Sequence, residues 1–491
     1  MSCFHYVLIL AVPDHWCYVP GINNYTLKEW KAIHIPWDYS KNSYDKCLMY
    51  DENNLTTTCQ NGYEYDKTWY LETVSSKENW VCANSMKVTH AFEFSKVGEI
   101  LGTLSLGYVG DRYGRKPAFY SAVATLFIGG MLTLITTSRY PLFILSLLLI
   151  SFSSNAVYQV SLIIGFEISK DEKRSMISCL QCVAYTTGFC LLAFVYSYFR
   201  YWMPLVLFST APLLLFFVFR GYMIESPRWL LNQGKVKRSL EELQKIAKTN
   251  KTRIPDVLVA KIQNIEKREE SDMSRFTDLF KNITIARITL LTIISWPCWN
   301  LIYVILYLNV TNLKGNPYSN FFWQSLAELP GYIIGKYLSD YLGRKLSRIF
   351  AFFISSIGCL MLVFLIADQQ YQLLVSIISM VLKLSISIVY YVISLQTMEV
   401  FPTSVRQRGA GFGFLAGSIL SISAPSLIHL GVVQNPKIPY IAASFFGFLG
   451  TMVGFFIPET LNEKLPESVK ELEDIVKRQR MFPILKHIST I

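Results

Sequence analysis

Long apolar runs, separated by short turns that are mostly charged, set the pattern of this chain. Runs long enough to cross about 30 Å of hydrocarbon as a helix, roughly 20 residues each, fall at 89–109, 117–137, 141–166, 176–198, 201–219, 287–308, 318–338, 346–366, 371–398, 409–431 and 438–457. The pattern therefore predicts eleven membrane-spanning helices. A further run at the start, Phe4 to Val12, has only nine residues before Pro13, about 14 Å of helix, and reads as part of a helix. Between the fifth and sixth spans, apolar residues recur at helical spacing among charges (Leu240, Leu243 and Ile246, then Val257, Ile262 and Ile265). That periodicity predicts a bundle of short amphipathic helices. The resulting division is a partial first helix at 1–12, an outer segment at 13–88 and a first bundle at 89–219. A helical loop at 220–286, a second bundle at 287–457 and a tail at 458–491 complete it.

Lys and Arg concentrate in the connections 111–116, 170–174, 220–287, 344–348 and 406–408, which alternate with connections holding one basic residue or none. The positive-inside rule makes the basic connections cytosolic and the segment 13–88 external. Hydrophobic residues at 52% and charged residues at 16% fit a bilayer better than water. The net charge of +11 does not indicate nucleic acid, because the basic residues sit at span ends. Cys17, Cys47, Cys59 and Cys82 share the outer segment with two glycosylation acceptors, Asn24 and Asn54. An even cysteine count in an oxidising compartment, with no histidine cluster, predicts two disulfides rather than a metal site; three connectivities remain open. Cys179, Cys182, Cys190, Cys298 and Cys359 lie within spans and read as free.

The chain repeats itself. Asp111-Arg112-Tyr113-Gly114-Arg115-Lys116 returns 229 residues later as Asp340-Tyr341-Leu342-Gly343-Arg344-Lys345. Glu167 and Arg174 return 232 residues later as Glu399 and Arg406, and Glu225 returns 234 later as Glu459. A near-constant offset in three places predicts two homologous halves in parallel repeat.

Other strings extend the reading. Pro13-Asp14-His15-Trp16-Cys17, Glu225-Ser226-Pro227-Arg228-Trp229-Leu230-Leu231, Glu328-Leu329-Pro330 and Glu399-Val400-Phe401-Pro402-Thr403-Ser404-Val405-Arg406 resemble the signatures of solute carrier family 22. These are the organic cation, anion and zwitterion transporters of the major facilitator superfamily. The likeness is greatest to insect-type organic cation or carnitine-like members. It implies an all-α fold of two six-helix bundles rocking about a central cavity, with a first helix that begins before Met1.

Such rocking needs a contact that holds the inner face shut in one state and releases it in the other. Asp111, Asp340, Arg115, Arg174, Arg344 and Arg406 lie at the inner ends of spans, and Arg112, Glu167, Glu225, Arg228 and Glu399 join them as expected gating residues. Gly98, Gly102 and Gly107 recur at helical spacing, which suits close helix approach. Lys96, Glu99 and Lys383 are ionisable groups inside apolar spans and so are functional candidates. Lys96 and Glu99 stand three apart and can neutralise each other; Lys383 has no neighbour in sequence to do so, and it matches a lysine of the family's helix ten, which places it on the cavity side. Aromatic residues hold bulky organic ions by stacking and cation–π attraction. The expected lining is Trp296, Trp299, Tyr303, Tyr307, Tyr332 and Tyr390 or Tyr391, with Tyr158, Gln159, Gln181 and Tyr185 as polar handles. Counted from Arg406, the position that carries Asp in the family's cation carriers and Arg in its anion carriers is Ser418, and the helix-eight lysine of the anion carriers is Tyr332. Glu328 is then the available counter-charge for an amine.

These residues imply a multi-pass plasma-membrane carrier of small organic cations or zwitterions that works without cofactors or chemistry. Nucleotide loops, metal motifs and nucleophile–base pairs are missing from the sequence, which argues against an enzyme. The alternatives are an organic anion transporter or a truncated, non-transporting member. Lipid and the small ion are the expected partners; the oligomeric state is open.

Overall fold

The computed structural model describes residues 5–19, 27–38, 43–51, 54–169, 171–263, 279–280, 282–313, 315–402, 406–463, 466 and 469–478. Asn24 and the last thirteen residues lie outside them, as do the side chains of Cys179, Arg174 and Arg406.

The four-residue helix α1 (Tyr6–Ile9) is fully buried. His5 lies within hydrogen-bond distance of Ser209 Oγ (3.1 Å), and Tyr6 packs on Phe92. The outer segment that follows contains α2 (Leu27–His34), α3 (Val74–Lys77) and three antiparallel ribbons: β1 (His15–Cys17) with β6 (Tyr63–Tyr65), β2 (Trp37–Asp38) with β3 (Ser43–Tyr44), and β4 (Leu48–Tyr50) with β5 (Thr56–Thr58). Two-stranded ribbons are marginal by themselves. Here they are stapled by disulfides Cys17–Cys59 and Cys47–Cys82. Trp16 and Trp30 form a small core beneath them, and Lys31 Nζ stands 3.3 Å above the Trp16 ring.

The first bundle runs through α4 (Met86–Arg112), α5 (Arg115–Thr136), α6 (Tyr140–Ile168) and α7 (Asp171–Phe199). Its last span is α8 (Trp202–Thr210) continuing into α9 (Leu214–Val218). The amphipathic α10 (Pro227–Asn232), α11 (Val236–Thr249) and α12 (Asp256–Gln263) lead to the second bundle. That bundle holds α13 (Ile283–Leu308), α14 (Pro317–Leu326), α15 (Glu328–Leu342), α16 (Arg344–Leu365), α17 (Gln372–Val400), α18 (Arg406–Ser421), α19 (Ala424–Val433) and α20 (Ile438–Phe456); α21 (Val469–Arg478) follows. Three spans are split, and each break has a proline behind it. Pro212, Pro330 and Pro425 lack the N–H that would bond to the carbonyl four residues earlier, and the helices break at 211, 327 and 422–423.

Among the described residues, eight helical runs are long and apolar enough to cross a membrane. The three remaining predicted spans fall short for physical reasons. Helix α4 carries Lys87, Glu93, Lys96, Glu99, Asp111 and Arg112; α8–α9 is short; α14–α15 is interrupted at Ala327 and contains Glu328 and Lys336. Close approach of α4 to α6 explains Gly98 and Gly102, since a Cβ at Gly102 would fall on the Phe152 carbonyl and one at Gly98 would stand 2.6 Å from Leu148 O. Gly107 meets open space and has no such role.

A candidate substrate site between the two halves

The duplicated motifs build the same device twice. Gly114 and Gly343, at φ +116° and +91°, turn the chain into α5 and α16. Neither helix has a side-chain cap of its own. Glu225 instead accepts from the backbone N–H of Arg115 (2.9 Å) and Lys116, and Glu459 accepts from those of Arg344 (2.9 Å) and Lys345 (3.0 Å). A carboxylate at a helix N-terminus satisfies orphan donors and the helix dipole together. A Cβ at either glycine would stand 2.5 Å from that carboxylate, so glycine is needed for space as well as for φ.

The adjoining ion pairs close within each half. Arg115 bonds Asp111 (2.6 Å) and Glu167 (3.4 Å), while Arg344 bonds Asp340 (3.1 Å) and, through two nitrogens, Glu399 (3.2 Å each). In this conformation each of these pairs closes within one half; the side chains of Arg174 and Arg406 lie outside the described residues. Arg112 bonds the Tyr108 hydroxyl and is outside the network, and Arg228 is exposed at the start of α10.

Contacts between the halves lie at the disulfide-bearing end and at mid-depth. Ser85 Oγ is 3.2 Å from His429 Nε2, and the Ser426 hydroxyl donates to Glu93. The Ser85 hydroxyl proton is directed to Cys82 O (2.8 Å), so in that contact Ser85 accepts from His429. Tyr70, Tyr196 and Tyr318 pack in a ring of mutual centroid distances from 5.5 to 5.8 Å. Tyr318 also donates to Trp69 O at 2.6 Å. Among the described residues, the hydrogen bonds, ion pairs and ring contacts that join the halves fall at this end or at mid-depth.

At the inner limit of this closure lies an aromatic shelf. Trp299 stacks on Tyr303 (5.5 Å) and packs at a tilt on Tyr390 (4.7 Å), Tyr303 stacks parallel to Tyr307 (6.3 Å), and Tyr332 meets Tyr390 edge-on. Trp296 crosses Trp299 at right angles. Backbone and hydroxyl acceptors fix both indoles, Trp299 to Ile386 O (3.0 Å) and Trp296 to Thr397 Oγ1 (3.3 Å). From the first half come Tyr158, packed on Tyr185, and Phe189, while the hydroxyls of Tyr185 and Tyr303 meet at 3.2 Å.

The structure also locates the individual candidates. Tyr390, not Tyr391, belongs to the shelf: neighbours on a helix point about 100° apart, and Tyr391 packs over Gly335 instead. Gln181 is tied down, donating to Tyr158 O (2.7 Å). Ser418 is enclosed, with its hydroxyl lacking a hydrogen-bond partner among the described residues. Lys96 does pair with Glu99, at 2.7 Å. Lys383 and Glu328 are each other's partner: Nζ stands 2.9 Å from Oε1, both side chains are only 3% exposed, and the Tyr303 hydroxyl donates to the same oxygen at 3.2 Å. Sequence reading treated the two charges separately because they stand 55 positions apart. It also missed the Tyr70–Tyr196–Tyr318 ring, whose members come from three distant segments.

Residues 53–471 match the family model described as sugar (and other) transporter. The chain is 27% identical to a carcinine transporter of Drosophila melanogaster, over 96% of this chain and 74% of that one. It is 27% identical to organic cation transporter 1 of Caenorhabditis elegans (97% and 84%) and 27% identical to a beta-alanine transporter of Drosophila melanogaster (96% and 83%). Among solved structures, the inward-open xylose transporter XylE from E. coli superposes with a TM-score of 0.65 at 16% identity, covering 83% of this chain and 92% of that one. Two repeated halves, the twin glycine–carboxylate turns and these matches lead to one conclusion: the chain is a multi-pass membrane transporter with the major facilitator fold and belongs to the sugar (and other) transporter family.

Proposed function

We propose that this protein carries small organic cations or zwitterions across the plasma membrane by alternating access, and that Trp299, Tyr303, Tyr332, Tyr390 and Tyr158 hold the substrate between the halves. The observation that carries this reading is the aromatic shelf itself. It presents ring faces from both bundles beside the carboxylate of Glu328, at the inner limit of the contacts that join the halves. Ring faces attract ammonium groups without demanding one geometry. The relatives that transport organic cations, carnitine, carcinine and beta-alanine fit that chemistry. With the basic end in the cytosol, the contacts that join the halves at the outer end fit an inward-facing state, and the Arg115 and Arg344 networks brace each half as it rocks.

The test is uptake of labelled organic cations and zwitterions by cells displaying the chain, compared with Tyr390→Ala and Trp299→Ala at matched surface abundance. Loss of one stacked ring removes about 0.5–1.5 kcal/mol beyond its buried area, so a KM raised several-fold is expected in both. Unchanged KM in both variants places the substrate elsewhere.

A further inference from the structure

We propose that the ammonium of Lys383 occupies the seat of the substrate's own ammonium, and that the transported species is a short zwitterion, an amine and a carboxylate on one small carbon skeleton. This rests on the substrate site described above and deepens it. Lys383 Nζ stands 3.6 Å from the centre of the Tyr303 ring and 5.6 Å from that of Tyr307, while Glu328 Oε1 lies 2.9 Å away. A carboxylate beside two aromatic faces is the chemistry that recognises an ammonium ion. Here the chain supplies that ion itself.

The pair borders a small cavity lined by Phe189, Tyr307, Phe321, Gln324 and Ser325. Glu328 Oε2 has no hydrogen-bond partner among the described residues, which leaves the carboxylate able to accept a second donor. Lys383 and Glu328 are salt-bridged only to each other among the described residues, so the site is neutral as it stands. Charge counting then selects the substrate. A cation drawn to Glu328 displaces Lys383 and leaves one buried positive charge without a partner; an anion drawn to Lys383 leaves Glu328 in the same position. Neither is tolerated in a low-dielectric site. A zwitterion exchanges one ion pair for two, its ammonium on Glu328 and the tyrosine rings, its carboxylate on the freed Lys383. Ser418, enclosed and uncharged, adds nothing to this count.

The experiment measures uptake of β-alanine and carnitine (zwitterions), tetraethylammonium and choline (cations) and propionate (an anion), with surface abundance quantified for every variant. Wild type should take up a zwitterion at least tenfold better than either cation, and that uptake should be insensitive to membrane potential. Lys383→Met should reverse the preference, with zwitterion uptake falling and cation uptake rising so that their ratio shifts on the order of 100-fold. Glu328→Gln should abolish cation and zwitterion uptake alike. The exchange variant E328K/K383E, which restores neutrality, should recover zwitterion uptake above either single variant. Where Lys383→Met fails to reach the surface, Lys383→Arg and the wild-type ratio still decide: Arg should retain the zwitterion preference. Wild type that moves tetraethylammonium or choline as well as it moves β-alanine and carnitine overturns this inference and leaves the carrier reading intact. Uptake of none of the five probes overturns both.

Discussion

Glu225 and Glu459 each lend a carboxylate to a helix to which they do not belong, and that single function explains why glutamate, glycine and the basic pair recur together in both halves. At this scale the ion-pair networks are unequal in their parts. Asp111 and Asp340 are well exposed and pair one helical turn away, an arrangement that contributes about 0.3–0.5 kcal/mol. Glu399 is largely enclosed, meets Arg344 through two bonds and accepts from Thr460. Glu399→Gln is therefore expected to cost roughly 1.5–3 kcal/mol and Asp340→Asn much less, read as thermal unfolding of the purified carrier; equal losses would refute the ranking. His15, nearly buried in the outer segment, gives a pH prediction. Its Nδ1 donates to Pro13 O at 3.1 Å, yet burial pushes its pKa below the ordinary 6.5, with Lys46 acting in the same direction. The folded segment thus holds His15 neutral, and the unfolded segment binds the extra proton. Stability from this group is full above about pH 6.5 and declines as pH falls below it. Proteolysis of the outer segment on intact cells should accelerate between pH 7.5 and 5.5, and His15→Gln should flatten that dependence.

Prolines set the shape of individual helices. By splitting α14 from α15, Pro330 places Glu328 in the first turn of a new helix, where the N-terminal dipole favours a carboxylate. Helix α14 in turn brings Tyr318 to α7 and to the outer segment, where Arg200 holds the strip Lys67–Trp69 through its guanidinium. Tyr318→Phe keeps the ring and removes the bond to Trp69 O. The loss of about 0.5–1.5 kcal/mol from the closed outer end should shift the balance toward the outward-open state by a factor of roughly 2–10. A cysteine placed at Tyr390 should then react faster with a membrane-impermeant thiol reagent added outside. Labelling no faster than in the parent would show that this bond does not hold the end closed.

For the molecule as a whole, orientation is the property on which every functional statement depends. Asn54 is exposed in a turn at φ +57°, as a glycan acceptor requires. Asn309 is buried and donates to Tyr440, and Asn282 caps α13. Enzymatic deglycosylation should lower the apparent mass, and Asn24→Gln combined with Asn54→Gln should eliminate the shift. A shift that persists until Asn282 is replaced would invert the topology.

The sequence determined whatever is local or repeated. Span length follows from hydropathy over about 20 residues, the duplicated architecture from two strings at a constant offset, and the four paired cysteines from their shared segment. Tertiary structure decided what depends on which distant residues face each other. Choosing Cys17–Cys59 and Cys47–Cys82 from three connectivities required the ribbons to fold. Choosing Tyr390 over Tyr391 required the rotation of one helix, and assigning Lys383 to Glu328 required the packing of α17 on α15. Periodicity fixes the face of a helix but not its neighbour, and a buried charge has meaning only once its neighbour is known.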